Sequence, residues 1–269
     1  MTYLISILAF LLLYLIFIAP RFPKRKVTRE YMGKCYAHRG LFSNETFCPE
    51  NSLPAFANAV KNGYGIELDV QLTKDNKLVV FHDNTLSRMC GIDVNVHDKT
   101  YRELCELTLL STDCKIPLLS EVLKLVDGQV PLLIEIKLPV FNTLTCQLVD
   151  EILRNYKGKY CIESFNTLAL VWYRIHRPDV VRGQLSGNLT KPVADGGFVL
   201  CFIVKYLLAN ILARPDFISF CYKDTCNLSY ILNRYLFRVP AFAWTIDSPK
   251  AYADSFHKFD SFIFEGFIV

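Results

Sequence analysis

The segment Tyr64–Asn84, with the sequence YGIELDVQLTKDNKLVVFHDN, decides how this chain can fold. Its first part alternates acidic and apolar residues, so Glu67 and Asp69 lie on the same face of a strand. Two adjacent carboxylates in an apolar setting repel each other unless a cation or a shared proton compensates them. Oxygen ligands of this kind suit a hard divalent cation. The segment therefore predicts a buried strand that carries a metal site.

The second half of the same segment predicts a hairpin. Residues Lys74–Lys77 have the composition of a turn, and Leu78–Phe81 then run back toward the start of the segment. The return strand ends at His82 and Asp83. This geometry can bring the His82 imidazole near the end of the carboxylate strand.

Strands and helices alternate along the rest of the chain, which implies a parallel sheet. Eight strands in about 235 residues suit a closed TIM (β/α)8 barrel. The hairpin strand Leu78–Phe81 would lie outside that barrel, and the polar, turn-rich residues at about 84–118 are interpreted as a small insertion after the second strand. The eight barrel strands are predicted to end at Ala37, Val70, Ile136, Ser164, Leu185, Phe220, Thr245 and Phe264.

Composition narrows the classes of protein that fit. The chain has 269 residues, of which 52% are hydrophobic, and a formal net charge of +4. Its length suits one catalytic domain, which we place at residues 34–269. The small positive charge, much of it in one short run, gives no reason to expect nucleic-acid binding. The ten cysteines include no C-x-x-C pair, so free thiols in a reducing compartment are expected.

The N-terminus combines an apolar run with basic residues. Leu4–Ala19 is almost continuously apolar and, with Tyr3, reaches the roughly 17 residues that a spanning helix needs. We interpret residues 1–20 as an uncleaved transmembrane anchor, with residues 3–19 in the membrane. The linker 21–33 is rich in Lys and Arg, which favours a cytoplasmic position for that flank; its basic residues are Arg21, Lys24, Arg25, Lys26 and Arg29. This predicts a single-pass protein of the cell membrane with a cytoplasmic barrel, and a buried N-terminal helix is the alternative.

A second apolar run, at residues 198–213, follows the strand that ends at Leu185. One hypothesis is that this run starts on the active-site side of the barrel and seats the barrel mouth against a bilayer. The other is that it forms an ordinary barrel helix with a wide apolar face.

Several charged and polar residues fall at the predicted carboxyl ends of barrel strands, where the active sites of such barrels lie. A single Glu-x-Asp pair is more often a salt-bridged structural pair than a metal site, but here histidines and cations share the same edge. Carboxylates can bind a divalent metal, histidines can exchange protons, and Arg and Lys can neutralise an anion. Phosphodiester cleavage needs these parts, which are His38, Arg39, Glu67, Asp69, Glu135, Lys137, Ser164 and Trp244.

The motifs of the chain together resemble those of the glycerophosphodiester phosphodiesterases, in order and roughly in spacing. The resemblance covers about residues 35–264 and favours a membrane-anchored, bacterial-type member. It implies a TIM barrel that hydrolyses glycerophosphodiesters to glycerol 3-phosphate and an alcohol with one divalent cation, Mg²⁺ or Ca²⁺. The motifs are His38-Arg39-Gly40, Pro49-Glu50-Asn51-Ser52, Glu67-Leu68-Asp69-Val70, Thr73-Lys74-Asp75, His82-Asp83 and Glu135-Ile136-Lys137.

The resemblance also implies a role for each matching residue. The metal ligands would be Glu67, Asp69 and Glu135, and the acid and base would be His38 and His82. The substrate-binding residues would be Arg39, Glu50, Lys137 and Trp244, with Glu50 also close to the metal. Single histidines outside the motifs are interpreted as structural, namely His97, His176 and His257.

The expected mechanism uses one histidine to deprotonate a neighbouring substrate hydroxyl or a water, and the other to protonate the leaving alkoxide. Attack by a glycerol hydroxyl would give a cyclic phosphate, whereas attack by water would be direct. The last strand region, Asp260–Gly266, differs from the sequence that the family usually has there. The bulky loop Leu41–Phe47 and Cys48 also differ from the pattern and affect how a substrate would fit.

Two other functions compete with this reading. The two apolar segments favour a lysophospholipase D-like preference for lysophospholipids. A catalytically silent barrel that binds phosphodiesters is the third hypothesis, and its signature would be a lost histidine or carboxylate.

Overall fold

Eight parallel strands close into a barrel, and a ninth strand lies outside it. The structure is a computed structural model that describes residues 2–23, 26–138, 142–190 and 197–269. The strands are β1 Cys35–Ala37, β2 Gly65–Leu72, β3 Leu78–Val80, β4 Leu132–Ile136, β5 Tyr160–Ser164, β6 Arg182–Ser186, β7 Phe217–Cys221, β8 Ala241–Ile246 and β9 Ser261–Phe264. Pairing of β1 with both β2 and β9 closes the barrel, and β3 pairs antiparallel with β2. The predicted TIM barrel with an external hairpin strand is confirmed.

Helices follow the barrel strands and cover their outer faces. Several begin at side chains that accept a hydrogen bond from the first turn, as Ser52 Oγ does from the Ala55 N–H at 3.3 Å. The helices are α1 Thr2–Ile18, α2 Leu53–Lys61, α3 Ser87–Cys90, α4 Tyr101–Leu104, α5 Leu119–Val126, α6 Leu144–Leu153, α7 Thr167–His176, α8 Gly197–Lys205, α9 Asn210–Ala213, α10 Leu228–Ile231 and α11 Pro249–Ser255. Short 3₁₀ turns lie at Lys26–Tyr31, Val96–Asp98 and Tyr222–Asp224, and a π-helical turn lies at Leu232–Leu236.

The alternation of side chains along β2 decides what enters the barrel. Ile66, Leu68 and Val70 belong to the apolar layer between strands and helices. Because successive side chains in a strand point to opposite faces, Glu67 and Asp69 point into the barrel. The amino-terminal end of the interior is filled by a separate apolar cluster, so the charged residues concentrate at the carboxyl end; this cluster contains Tyr36, Leu133, Cys161, Val181, Phe217, Phe242 and Ile263.

The segment between β3 and α5 has a small core of its own. Leu86, Met89, Val96 and Leu104 are buried in it together with residues of the β3 hairpin. α3, α4 and a 3₁₀ turn surround this core. The segment therefore packs beside the barrel as a compact unit, in the place where the sequence predicts an insertion.

The N-terminal helix α1 is present, but a transmembrane anchor at residues 1–20 is not supported. α1 has 17 residues, and among the residues that the structure describes, no helix is both long and apolar enough to cross a membrane. Its last residue, Ile18, is fully buried, and the Asn210 side-chain amide donates to the Ile18 carbonyl at 3.0 Å. Residues 2–13 are exposed, so the alternative of a fully buried helix is also wrong. Lys24 and Arg25 of the basic run lie outside the described residues.

Gly183 is required by the packing inside the barrel. It lies opposite Phe217 in the β6–β7 pairing, and a Cβ atom added at Gly183 would come within 2.1 Å of the Phe217 ring. We expect Gly183→Ala to lower the free energy of unfolding by about 1–3 kcal/mol, as overpacking does elsewhere. Urea unfolding measures this, and Phe217→Leu in the same chain is expected to restore part of the loss. An unchanged midpoint in Gly183→Ala would contradict this account of the packing.

Candidate active site at the carboxyl end of the barrel

Three buried carboxylates meet at the carboxyl ends of β2 and β4. One oxygen each of Glu67, Asp69 and Glu135 lies within 4.8 Å of the others, and Asp69 is opposite Glu135 in the strand register. Burial and the neighbouring carboxylates raise the pKa of Glu67 well above its usual value, and burial also raises the pKa of Glu135. The local cations therefore leave negative charge uncompensated, and the oxygen donor set fits Mg²⁺ or Ca²⁺.

Lys137 and Asn51 hold the cluster from two sides. The Lys137 ammonium is 3.0 Å from Glu135 Oε1 and 3.1 Å from Asp69 Oδ1. The Asn51 amide donates to Asp69 Oδ2 at 2.9 Å. Although burial acts in the opposite direction, Lys137 and the other nearby donors lower the pKa of Asp69 far below its usual value. Asp69 therefore stays ionised, and its two oxygens are fixed in position.

Arg39 joins the cluster to a second network of charges. Its backbone N–H donates to Glu67 Oε2 at 3.0 Å, and its guanidinium donates to Glu50 Oε1 at 2.6 Å. Glu50 also accepts hydrogen bonds from Arg88, at 2.7 and 2.8 Å. Against the effect of burial, these guanidiniums lower the pKa of Glu50 to about 2. Glu50 is thus an ionised partner of Arg39 and Arg88 and lies outside the group of three carboxylates.

His38 follows β1 and is held by a carboxylate from the other end of the chain. Its Nδ1 lies 2.6 Å from Glu265 Oε2, and its Nε2 lies 3.9 Å from Glu67 Oε2. Burial lowers the pKa of His38, and the hydrogen bond to Glu265 partly opposes this. With Nδ1 bound to Glu265, the Nε2 atom is the one that faces the carboxylate cluster.

His82 lies near the cluster and, like His38, has a carboxylate partner. Its Nδ1 lies 2.6 Å from Asp83 Oδ1, and Arg88 Nε donates to Asp83 Oδ2 at 2.7 Å. The Gln71 amide donates to the carbonyls of Phe81, His82 and Asp83, which fixes the turn after β3. His82 is close enough to act electrostatically on Asp69 and Glu135.

Aromatic and polar side chains from β5, β7 and β8 line the rest of the site. The Trp244 ring packs edge-on against Phe165 with centroids 5.5 Å apart. Its indole N–H is buried and has no hydrogen-bond partner among the described residues, so it can donate to a ligand. Glu163 is a further buried carboxylate, which accepts a hydrogen bond from Ser219. Burial raises the pKa of Glu163 well above its usual value.

The structure brings together the motif residues that the sequence singles out. His38, Arg39, Glu67, Asp69, Glu135 and Lys137 form one continuous network. Ser164 lies outside that network, because its hydroxyl donates to the Ile136 carbonyl at 2.6 Å. The remaining histidines lie outside that network: His97 is half-buried next to Asp98, His176 stacks on Trp172, and His257 contacts Phe256.

Sequence reasoning missed four residues that shape the site. Asn51 lies next to Glu50 in a motif of the family, but the sequence assigns it no role at the site. Glu265 follows the last barrel strand directly, as His38 follows the first, and adjacent strand ends meet in space. That signal was available and was not used. Arg88 and Glu163 gave no signal, because their contacts arise from distant parts of the chain.

Comparison with known proteins gives consistent results. The chain matches the Glycerophosphoryl diester phosphodiesterase family over residues 38–208. A glycerophosphodiester phosphodiesterase of Caldanaerobacter subterraneus subsp. tengcongensis is 30% identical over 224 residues, which cover 78% of this chain and 84% of that protein. A solved structure of glycerophosphodiester phosphodiesterase from Thermotoga maritima is 29% identical, with a TM-score of 0.63, and covers 86% of this chain and 93% of that chain.

Another relative is named lysophospholipase D. The protein from Rattus norvegicus is 34% identical over 154 residues, which cover 52% of this chain and 47% of that protein. A glycerophosphodiester phosphodiesterase of Bacillus altitudinis is 44% identical over 117 residues, which cover 40% of this chain and 45% of that protein. The chain thus spans about half the length of several curated relatives that it matches.

The fold and the position of the charged residues define the class. The closed parallel barrel is a TIM barrel. Its polar network lies at the carboxyl ends of the strands, where TIM-barrel enzymes have their active sites. Within this class, the chain belongs to the glycerophosphoryl diester phosphodiesterase family.

Proposed function

We propose that this protein hydrolyses glycerophosphodiesters to glycerol 3-phosphate and an alcohol. The observation that supports this most is that His38 and His82 both lie near the carboxylate cluster, each with Nδ1 hydrogen-bonded to a carboxylate. Such a bond fixes the orientation of an imidazole and leaves Nε2 for proton transfer. The relatives named glycerophosphodiester phosphodiesterase agree with this chemistry.

Each group in the site has a task in this reaction. A divalent cation held by Glu67, Asp69 and Glu135 would polarise the phosphoryl oxygens. Arg39 and Lys137 neutralise the phosphate, and Trp244 can donate its buried N–H to the substrate. One histidine accepts the proton of the attacking oxygen, from the neighbouring glycerol hydroxyl or from water, and the other donates a proton to the leaving alkoxide. If the glycerol hydroxyl attacks, water then opens the cyclic phosphate to glycerol 3-phosphate.

The test is release of glycerol 3-phosphate by the full chain from glycerophosphocholine and glycerophosphoethanolamine. The assay is run with Mg²⁺, with Ca²⁺ and with EDTA, and we expect release that EDTA abolishes. A cyclic phosphate that accumulates early would show attack by the glycerol hydroxyl. No release from folded protein on any diester, acylated ones included, would exclude the proposed reaction and leave the silent phosphodiester-binding barrel.

A second candidate substrate is a lysophospholipid. It is favoured by the relatives named lysophospholipase D and by the exposed aromatic residues of α8, since Phe198 is 59% and Phe202 42% exposed. α8 follows β6, so it starts at the same end of the barrel as the site. Comparison of kcat/KM on glycerophosphocholine and on its acylated form decides between the two substrates.

We also propose that the protein acts at the cell membrane with its barrel in the cytoplasm. The support is the exposed apolar surface of α1 and the basic residues that follow it. Fractionation of cells that express the full chain tests this, and recovery of all the protein in the soluble fraction would contradict it.

A further inference from the structure

A basic cavity lies at the amino-terminal end of the barrel, far from the carboxylate cluster. Its volume is about 560 Å³, and it lies between the end of α1 and the starts of β6 and β7. Arg182 opens β6 and Pro178 lies in the loop before it, whereas the candidate active site occupies the opposite strand ends. Four guanidiniums line the cavity, those of Arg21, Arg174, Arg182 and Arg214.

These arginines are held mainly by neutral partners. Arg174 donates to the Leu212 carbonyl at 2.6 Å, Arg214 to the Ala19 carbonyl at 2.9 Å, and Arg21 to the Pro178 carbonyl at 2.8 Å. Carbonyl oxygens orient a guanidinium without neutralising its charge. Burial and the nearby charge of Arg174 lower the pKa of Arg214, which shows that the two cations repel each other. The cavity therefore favours an anion.

The carboxylate of Asp216 offsets part of this charge. Asp216 lies 3.8 Å from Arg21 and 3.9 Å from Arg182. No acidic side chain is found among the described residues that line the cavity. A second cavity of about 220 Å³ shares Arg21, is lined by Asp216, and extends the basic rim with Lys26, Arg29 and Arg238. The positive surface is thus wider than one small anion requires.

An uncovered apolar helix, α1, ends at the same cavity. Ile16 of α1 lines it, and residues 2–13 of that helix are exposed. Phe22, which is 59% exposed, and Leu212, which is 58% exposed, lie beside the arginines. A ligand with an anionic head and apolar chains matches both features, because the head can enter the cavity while the chains lie against α1.

We propose that this cavity binds the phosphate group of an anionic phospholipid at a membrane surface, with α1 in contact with the lipid chains. The inference deepens the proposed membrane localisation and is independent of the hydrolytic reaction, because the cavity and the carboxylate cluster lie at opposite ends of the barrel. A basic residue near a charged membrane surface contributes about 1 kcal/mol to binding, so two such residues change binding roughly thirty-fold.

The experiment measures sedimentation of the full chain with vesicles of phosphatidylcholine alone or with phosphatidylglycerol added. We compare three proteins. They are the wild type, a cavity variant that carries both Arg21→Gln and Arg174→Gln, and a control that carries both Arg102→Gln and Lys124→Gln. The control loses the same charge from exposed positions elsewhere. We expect a roughly thirty-fold loss of binding to anionic vesicles for the cavity variant and less than about two-fold for the control. Arg174→Gln alone changes only an exposed side chain, so it replaces the double variant in the assay if the double variant is unstable.

Three outcomes would overturn the proposal. One is binding of the cavity variant to anionic vesicles at the wild-type level. Another is an equal loss in the control, which would indicate attraction by net charge alone. The third is that the wild type binds inorganic phosphate in the cavity but does not sediment with anionic vesicles. Phosphate binding would be seen as a rise in melting temperature that the cavity variant lacks. Release of glycerol 3-phosphate from glycerophosphocholine is expected to be unchanged in every variant, so a failure here is separate from a failure of the enzymatic proposal.

Discussion

Replacing Glu67 by glutamine is expected to abolish both phosphodiester hydrolysis and the stabilisation of the fold by divalent cations. Glu67 supplies one of the three oxygens that lie within 4.8 Å of each other. Loss of a residue that only supports a metal ligand costs about 10- to 100-fold, so loss of a ligand is expected to reduce kcat/KM by at least about 100-fold. Release of glycerol 3-phosphate measures this effect.

The melting temperature reports cation binding independently of activity. A cation at a hundred times its Kd stabilises the folded state by about 2.7 kcal/mol, which corresponds to roughly 5–10 °C for a chain of this size. The wild type should show that rise with Mg²⁺ or Ca²⁺, and Glu67→Gln should not. Asp254→Asn, which changes an exposed carboxylate of α11, serves as the control and should respond like the wild type.

The same variant has a second expected effect when no divalent cation is added. The folded-state pKa of Glu67 is raised above its unfolded value, so ionised Glu67 destabilises the fold. This destabilisation is absent below the unfolded pKa, near 4.5, and grows as the pH rises toward the folded pKa. In EDTA at pH 7, Glu67→Gln is therefore expected to melt at a higher temperature than the wild type, and the difference should shrink toward pH 5. A cation-dependent rise in melting temperature that persists in Glu67→Gln would show that the cation binds elsewhere.

Much of the barrel could be predicted because its signals are local. Predicted strand ends at Ala37, Ile136, Ser164 and Phe264 are the observed ones. These elements have apolar residues at the spacing that their secondary structure needs. A spanning helix is at the edge of what the sequence can predict, because a mostly apolar helix of 17 residues is at the lower limit of length for crossing a bilayer.

The candidate site could be predicted in its parts but not in its connections. The motifs name the carboxylates and histidines, since strand ends of a parallel barrel gather at one edge. They do not show that Glu265 contacts His38 across 227 positions of sequence. They also do not show that Arg88, from the insertion, bridges Glu50 and Asp83. These contacts depend on how the chain closes, and no local pattern encodes them.

The contact between His38 and Glu265 leads to the second large expected effect. We expect His38→Ala to lower kcat/KM by about 10²- to 10⁴-fold, the usual contribution of a general acid or base. Binding of a divalent cation, measured as a rise in melting temperature, should be preserved, because the substitution leaves the three candidate metal ligands unchanged. His97→Ala, at a half-buried site outside the cluster, should keep full activity.

Glu265→Gln tests how His38 is positioned, and the sign of its effect on pH dependence is fixed. Burial lowers the pKa of His38, and the Glu265 carboxylate raises it, so removal of that charge lowers the pKa further. If His38 acts as the base, the acidic limb of kcat/KM moves to lower pH, since the neutral imidazole then persists to lower pH. If His38 acts as the acid, the alkaline limb moves to lower pH, because the protonated form is lost earlier. Glu265→Asp keeps the charge and should restore part of the wild-type profile, whereas a Glu265→Gln profile with neither limb displaced would show that this carboxylate does not control His38.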